Sequence, residues 1–127
     1  MHLAHVALWT TDLDAAAAFW QRTFNAAVGP SYQSARRPGF VSRFVTLPDG
    51  GAHIELMTAP WLAGASPADR IGWDHIAISL GSAAEVDALA QRCAAAGALV
   101  SPPRRTGDGF YEAVIAMPDG TRIEITA

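Results

Sequence analysis

The sequence predicts an α+β domain in which one plan is used twice, with strands curving round a concave face and helices outside. Three observations carry this. His5-Val6-Ala7-Leu8 returns later as His75-Ile76-Ala77-Ile78. Leu47-Pro48-Asp49-Gly50 ahead of Ile54-Glu55-Leu56 returns as Met117-Pro118-Asp119-Gly120 ahead of Ile123-Glu124-Ile125. The spacing is also kept, with 50 residues from His5 to Glu55 and 49 from His75 to Glu124. Self-similarity of this kind marks a repeated supersecondary unit and is read before anything else.

The first copy opens with a strand over 3–9, where His5, Ala7 and Trp9 share one face and Val6 and Leu8 the other. Thr10-Thr11-Asp12 offers N-cap chemistry, and Leu13, Ala16, Ala17, Trp20 and Phe24 then recur at helical spacing. Residues 25–39 read as a loop, because Gly29-Pro30 and Pro38-Gly39 break any period. A strand over 40–47, a hairpin turn at Pro48-Asp49-Gly50-Gly51 and a strand over 52–58 follow. On the last of these, His53, Glu55 and Met57 face one way and Ile54 and Leu56 the other.

Residues 59–71 read as a linker rich in Pro, Gly and Ser. The second copy has a strand over 74–80 and a helix capped by Ser82, with Glu85 three residues on. Val86, Leu89, Ala90 and Cys93 form that helix's apolar stripe, and Gly97 is its stop. Pro102-Pro103 and Thr106-Gly107-Asp108-Gly109 read as loop, and strands over 110–117 and 121–126 complete the copy. Arg122 and Glu124 share a face of the last strand. The modules are therefore 1–58 and 72–127 of a single domain. If the aliphatic positions pack on the helices, His and Glu point into the concavity.

Composition narrows the function. The 127 residues can bury a core, and 50% hydrophobic with 17% charged residues excludes a disordered chain. A net charge of -3 gives no basic excess for a nucleic-acid partner. No run of about 18 apolar residues is present to span a membrane, and no signal peptide is evident. The lone Cys93 fits a reducing cytoplasm.

A single glutamate between aliphatic residues is ordinary on a strand with one wet face. The same motif twice, each with a matched upstream histidine, is not. Two imidazoles and two carboxylates suit one borderline divalent ion, such as nickel, zinc, cobalt, manganese or iron. The absence of paired thiolates argues against a structural zinc site.

The chain resembles the vicinal oxygen chelate superfamily, the glyoxalase/bleomycin-resistance/dioxygenase group. The resemblance rests on the duplicated plan, the paired Pro-Asp-Gly turns, and His5, Glu55, His75 and Glu124. It implies two tandem βαβββ modules forming a curved mixed sheet with a metal-binding cup. It implies His5, Glu55, His75 and Glu124 as ligands, closest to the set of glyoxalase I (lactoylglutathione lyase). The activity implied is that of a lyase or isomerase acting on vicinal oxygens through a metal-stabilised enediolate. The resemblance implies Glu124 as the catalytic base, with Glu55 its counterpart.

Two positions depart from that pattern. Trp9 stands where glyoxalase I relatives often carry an arginine, and Ala59 where they often carry an asparagine; both are glutathione-holding positions. The candidate substrate contacts are Trp9, Arg43, Met57, Tyr111 and Arg122. Two alternatives stand beside the lyase. One is a bleomycin-resistance-type protein that binds without turnover, and the other is a non-haem iron dioxygenase. The partners expected are a small-molecule substrate and a second copy in a homodimer.

Overall fold

The computed structural model describes residues 4–48, 52–62, 74–107 and 109–127. The turn residues Asp49, Gly50 and Gly51 and most of the expected linker, from residue 63 on, lie outside these. The chain divides into two compact units, Met1–Gly64 and Ala65–Ala127. The first runs β1 (His5–Trp9), α1 (Leu13–Phe24), β2 (Ala27–Gln33), β3 (Val41–Thr46) and β4 (His53–Thr58). The second runs β5 (Ile76–Ser79), α2 (Ala83–Ala95), β6 (Leu99–Arg105), β7 (Tyr111–Ala116) and β8 (Arg122–Thr126). Each is a βαβββ module with its own four-stranded mixed sheet, ordered β1-β4-β3-β2 and β5-β8-β7-β6. In both sheets the first and last strands pair parallel and the other neighbours antiparallel.

Local chemistry sets the helix ends. Asp12 is the N-cap of α1, its carboxylate accepting from the Ala15 N–H at 2.9 Å. Asn25 ends the helix with φ 53°, the left-handed region that asparagine tolerates better than most residues. Ser82 caps α2 by accepting from the Glu85 N–H at 3.3 Å. The far end of α2 is a Schellman turn. Gly97, at φ 70°, donates to Ala94, and Ala98 donates to Cys93, so two terminal carbonyls gain partners.

Each helix covers one face of its own sheet. Ala16, Ala17, Phe19 and Trp20 of α1 are buried with Val45, Ile54 and Leu56. Val86, Leu89, Ala90 and Cys93 of α2 are buried with Ile115, Ile123 and Ile125. The aliphatic positions of the strands therefore form the two cores, as the alternation predicts.

Two expected loops contain strands. The 25–39 segment includes β2, and the segment with Pro102-Pro103 is part of β6. The reason is the same in both. β2 and β6 are edge strands, where a proline's missing N–H costs no ladder bond. The pairing register shifts between Val28 and Ser31, and between Ser101 and Arg104, so each proline sits in an irregularity.

Candidate metal-binding pairs and their surroundings

The parallel pairing of β1 with β4 puts His5 opposite His53 and Ala7 opposite Glu55. Residues two apart on a strand share a face, so His5, His53 and Glu55 project together, away from α1. The His5 Nε2 lies 3.9 Å from a Glu55 carboxylate oxygen. The second unit repeats the register, with Ala77 opposite Glu124. His75, just before β5, brings its Nε2 to 3.3 Å from a Glu124 oxygen. In each pair the histidine is the more exposed partner, at 46% and 38%, and the carboxylate is held closer in, at 20% and 17%.

The 3.3 Å separation of His75 and Glu124 is close to that of adjacent ligands of one cation, and the 3.9 Å of His5 and Glu55 is wider. Metal–nitrogen and metal–oxygen bonds of about 2.1 Å at right angles place the two donors about 3 Å apart. Each pair offers two donors. Among the described residues no three His, Cys, Asp or Glu side chains converge on one metal-sized position. Each unit holds one such pair.

The surroundings of the two histidines differ. His75 Nδ1 lies 2.7 Å from an Asp74 carboxylate oxygen, so its second nitrogen is fixed by an anion while Nε2 faces Glu124. The hydrogen bond to His75 holds the Asp74 carboxyl below the usual carboxylate range, against partial desolvation and with help from the charges of His75 and Arg122. His5 follows Ala4, and among the described residues no carboxylate reaches its Nδ1; its ring meets Phe44 edge-on at 5.4 Å. His53 is held through Nδ1 at 3.0 Å from the Thr46 hydroxyl.

The other candidate residues divide by face. Trp9 and Met57 are register partners on the Glu55 side. Arg122, two residues before Glu124, lies on the Glu124 side. Arg43 and Tyr111 do not. Arg43 pairs with Leu56, so it projects toward α1, where its guanidinium reaches Asp14 at 3.7 Å. Tyr111 alternates with Ala113 and Ile115 on the α2 side. There its hydroxyl donates to Asp87 at 2.6 Å, a bond that raises its pKa, helped by desolvation and the Asp87 charge. A groove lined by Ala83, Arg105, Phe110 and Tyr111 lies on that same side, apart from Glu124.

Three features escaped the sequence reading. Asp74 was legible as the neighbour of His75. Phe44 depends on strand pairing. Glu112 is buried on the Glu124 side and pairs at 3.1 Å with Arg104 of β6.

Two βαβββ modules, each with one imidazole–carboxylate pair on the sheet face away from its helix, define a paired-module α+β protein. The chain belongs to the Glyoxalase/Bleomycin resistance protein/Dioxygenase superfamily, whose family model matches residues 2–125. It is 36% identical over 104 residues to the uncharacterized protein PA2024 of Pseudomonas aeruginosa, covering 80% of this chain and 70% of that one. Its fold is similar to that of the trypanothione-dependent glyoxalase I of Leishmania major, with a TM-score of 0.76, 18% identity, and coverage of 99% of this chain and 86% of that one. It is also similar to a mutant of the fosfomycin resistance protein FosX from Listeria monocytogenes, complexed with Mn(II) and 1S,2S-dihydroxypropylphosphonic acid. There the TM-score is 0.73 and identity 28%, with 99% and 89% of the two chains covered.

Proposed function

We propose that the protein is a divalent-metal-dependent lyase or isomerase of the glyoxalase I type, acting on a small substrate with neighbouring oxygens. The observation that carries this reading is the recurrence of one His–Glu pair in one strand register, His5 with Glu55 and His75 with Glu124. A merely structural ion pair has no need to recur on the helix-free face of both sheets. His5, Glu55, His75 and Glu124 would hold the ion, and a nickel, zinc, cobalt, manganese or iron(II) ion suits such donors. When bound, the ion supplies Lewis acidity to adjacent substrate oxygens. Glu124 takes a proton α to a carbonyl and returns it one carbon away, and Glu55 is its counterpart in the first unit. Arg122 contributes positive charge beside Glu124. Trp9 and Met57 give the Glu55 side an apolar end, and Trp9 and Ala59 stand where glutathione contacts would be expected, so the thiol cofactor is dispensable in this reading. We place the protein in the cytoplasm, as a homodimer.

One observation favours a second reading. Trp9, Tyr32 and Phe44 are all exposed on the Glu55 side, at 41%, 59% and 40%, and such a surface can hold a drug or metabolite without turnover. Metal analysis of the purified protein separates the two, followed by assay of methylglyoxal with and without glutathione. The lyase reading expects a tightly held divalent ion and turnover that stops when the ion is chelated. Protein that neither contains nor takes up nickel, zinc or manganese would leave the binding reading in its place.

A further inference from the structure

A second feature of the Glu55 side is a cation held by three aromatic rings. The Arg37 guanidinium carbon lies 5.1 Å from the Phe40 ring centre, 5.1 Å from that of Trp61 and 6.0 Å from that of Trp9. Trp9 and Phe40 meet edge to face at 5.9 Å. Rings at these distances attract a guanidinium and fix its plane. They do not use its N–H edge, which carries five donors. Among the described residues, Arg43 and Arg104 have carboxylate partners, at Asp14 and Glu112, whereas the Arg37 guanidinium has no carboxylate and no hydrogen bond.

The backbone around Arg37 is equally constrained. Its N–H donates to the Ser34 hydroxyl at 3.1 Å, and its carbonyl accepts from Phe40 at 2.9 Å. Ser34 N–H in turn donates to the Phe40 carbonyl at 3.1 Å, closing the 34–40 loop. Gly39 lies at φ +85°, and a Cβ there would sit 2.8 Å from the Pro60 ring. The loop is thereby pressed against the segment that carries Trp61. Trp9 is the register partner of Met57, which is two residues beyond Glu55 on the same face. That spacing is about 7 Å along the strand, within the length of a small ligand.

We propose that Arg37 is an oxyanion-binding residue, and that the ligand taken up on the Glu55 side carries a carboxylate, phosphate or phosphonate that Arg37 holds by its fork while Trp9 and Trp61 flank it. A preorganised guanidinium with free donors matches a planar or tetrahedral oxyanion and loses little entropy on binding one. Its part in catalysis rests on the lyase reading, but the anion site itself stands on the geometry above.

The test uses metal-free protein, so that the two readings can fail separately. Trp9 and Trp61 make intrinsic fluorescence a reporter. Phenylphosphonate and phenylacetate are titrated, with benzyl alcohol as the neutral control. At least one anion is expected to bind saturably with a Kd of ~1 mM or tighter, and benzyl alcohol more weakly. Arg37→Gln is expected to weaken that anion at least ~tenfold, the low end for a hydrogen bond to a charged group. Arg37→Lys should retain part of the binding, because the charge remains without the fork. Arg36→Gln should behave as wild type. Saturable anion binding in wild type that Arg37→Gln and Arg37→Lys both leave unchanged overturns the proposal, and so does the absence of saturable binding by either anion. Nickel uptake measured on the same variants reports on the metal reading alone, and Arg37→Gln should leave it as in wild type.

Discussion

Asp74→Asn is the substitution that separates the two histidines. Asp74 places a carboxylate oxygen 2.7 Å from His75 Nδ1, an anchor that orients the ring with Nε2 toward Glu124. An asparagine keeps the shape but removes the charge, so the ring loses its charge-assisted anchor. Partners of this kind change metal affinity by ~10–100-fold when removed. Asp74 is 63% exposed, so water screens it and the lower end of that range, about tenfold, applies. Isothermal titration of metal-depleted protein with nickel, wild type against Asp74→Asn, measures it. Asp87→Asn, whose carboxylate serves Tyr111 on the other face, is the control and should bind nickel as wild type does. Equal nickel affinity in wild type and Asp74→Asn would refute the idea that this carboxylate tunes a ligand.

Other outcomes follow from the same geometry. Gly39→Ala puts a Cβ both in the left-handed region and 2.8 Å from Pro60, and should cost about 1–3 kcal/mol by chemical denaturation; an unchanged midpoint would mean the loop gives way freely. Leu56→Ala, from a fully buried position between β1 and β3, should cost about 2–5 kcal/mol in the same assay. Tyr111 should ionise above its ordinary value of about 10, and Asp87→Asn should bring it back down, as followed by absorbance at alkaline pH. Because the folded pKa is raised, the stabilising Tyr111–Asp87 contact is intact below pH ~10. It is lost as pH climbs through the raised value, since the unfolded chain ionises first. A Tyr111 titration indifferent to Asp87 would contradict the hydrogen bond.

Much of this was legible because β-strands alternate and the chain repeats. His5, Glu55, His75 and Glu124 could be assigned to one side of their strands from the aliphatic residues between them, and the register agrees for His5, Glu55 and Glu124, with His75 just before β5. Arg43 and Tyr111 were harder for a physical reason. On β3, Val41-Ser42-Arg43-Phe44-Val45-Thr46 mixes polar and apolar residues on both faces, so only pairing with Leu56 shows which way Arg43 points. Tyr111 begins a strand whose charged Glu112 is buried, which inverts the usual cue. β2 and β6 were hidden by prolines that an edge strand tolerates. The Arg37 cluster joins Trp9, Phe40 and Trp61 from three separate segments, and no local spacing announces such a contact.

The proposed function requires that the two His–Glu pairs serve one metal ion. Nickel and zinc titrations of wild type, Glu55→Gln and Glu124→Gln, read by calorimetry and by bound metal per chain, test it most directly. The account predicts one ion per chain in wild type and at least ~tenfold weaker binding in each variant, because either loses a charged ligand. Two independent ions per chain, or variants that bind as tightly as wild type, would contradict it.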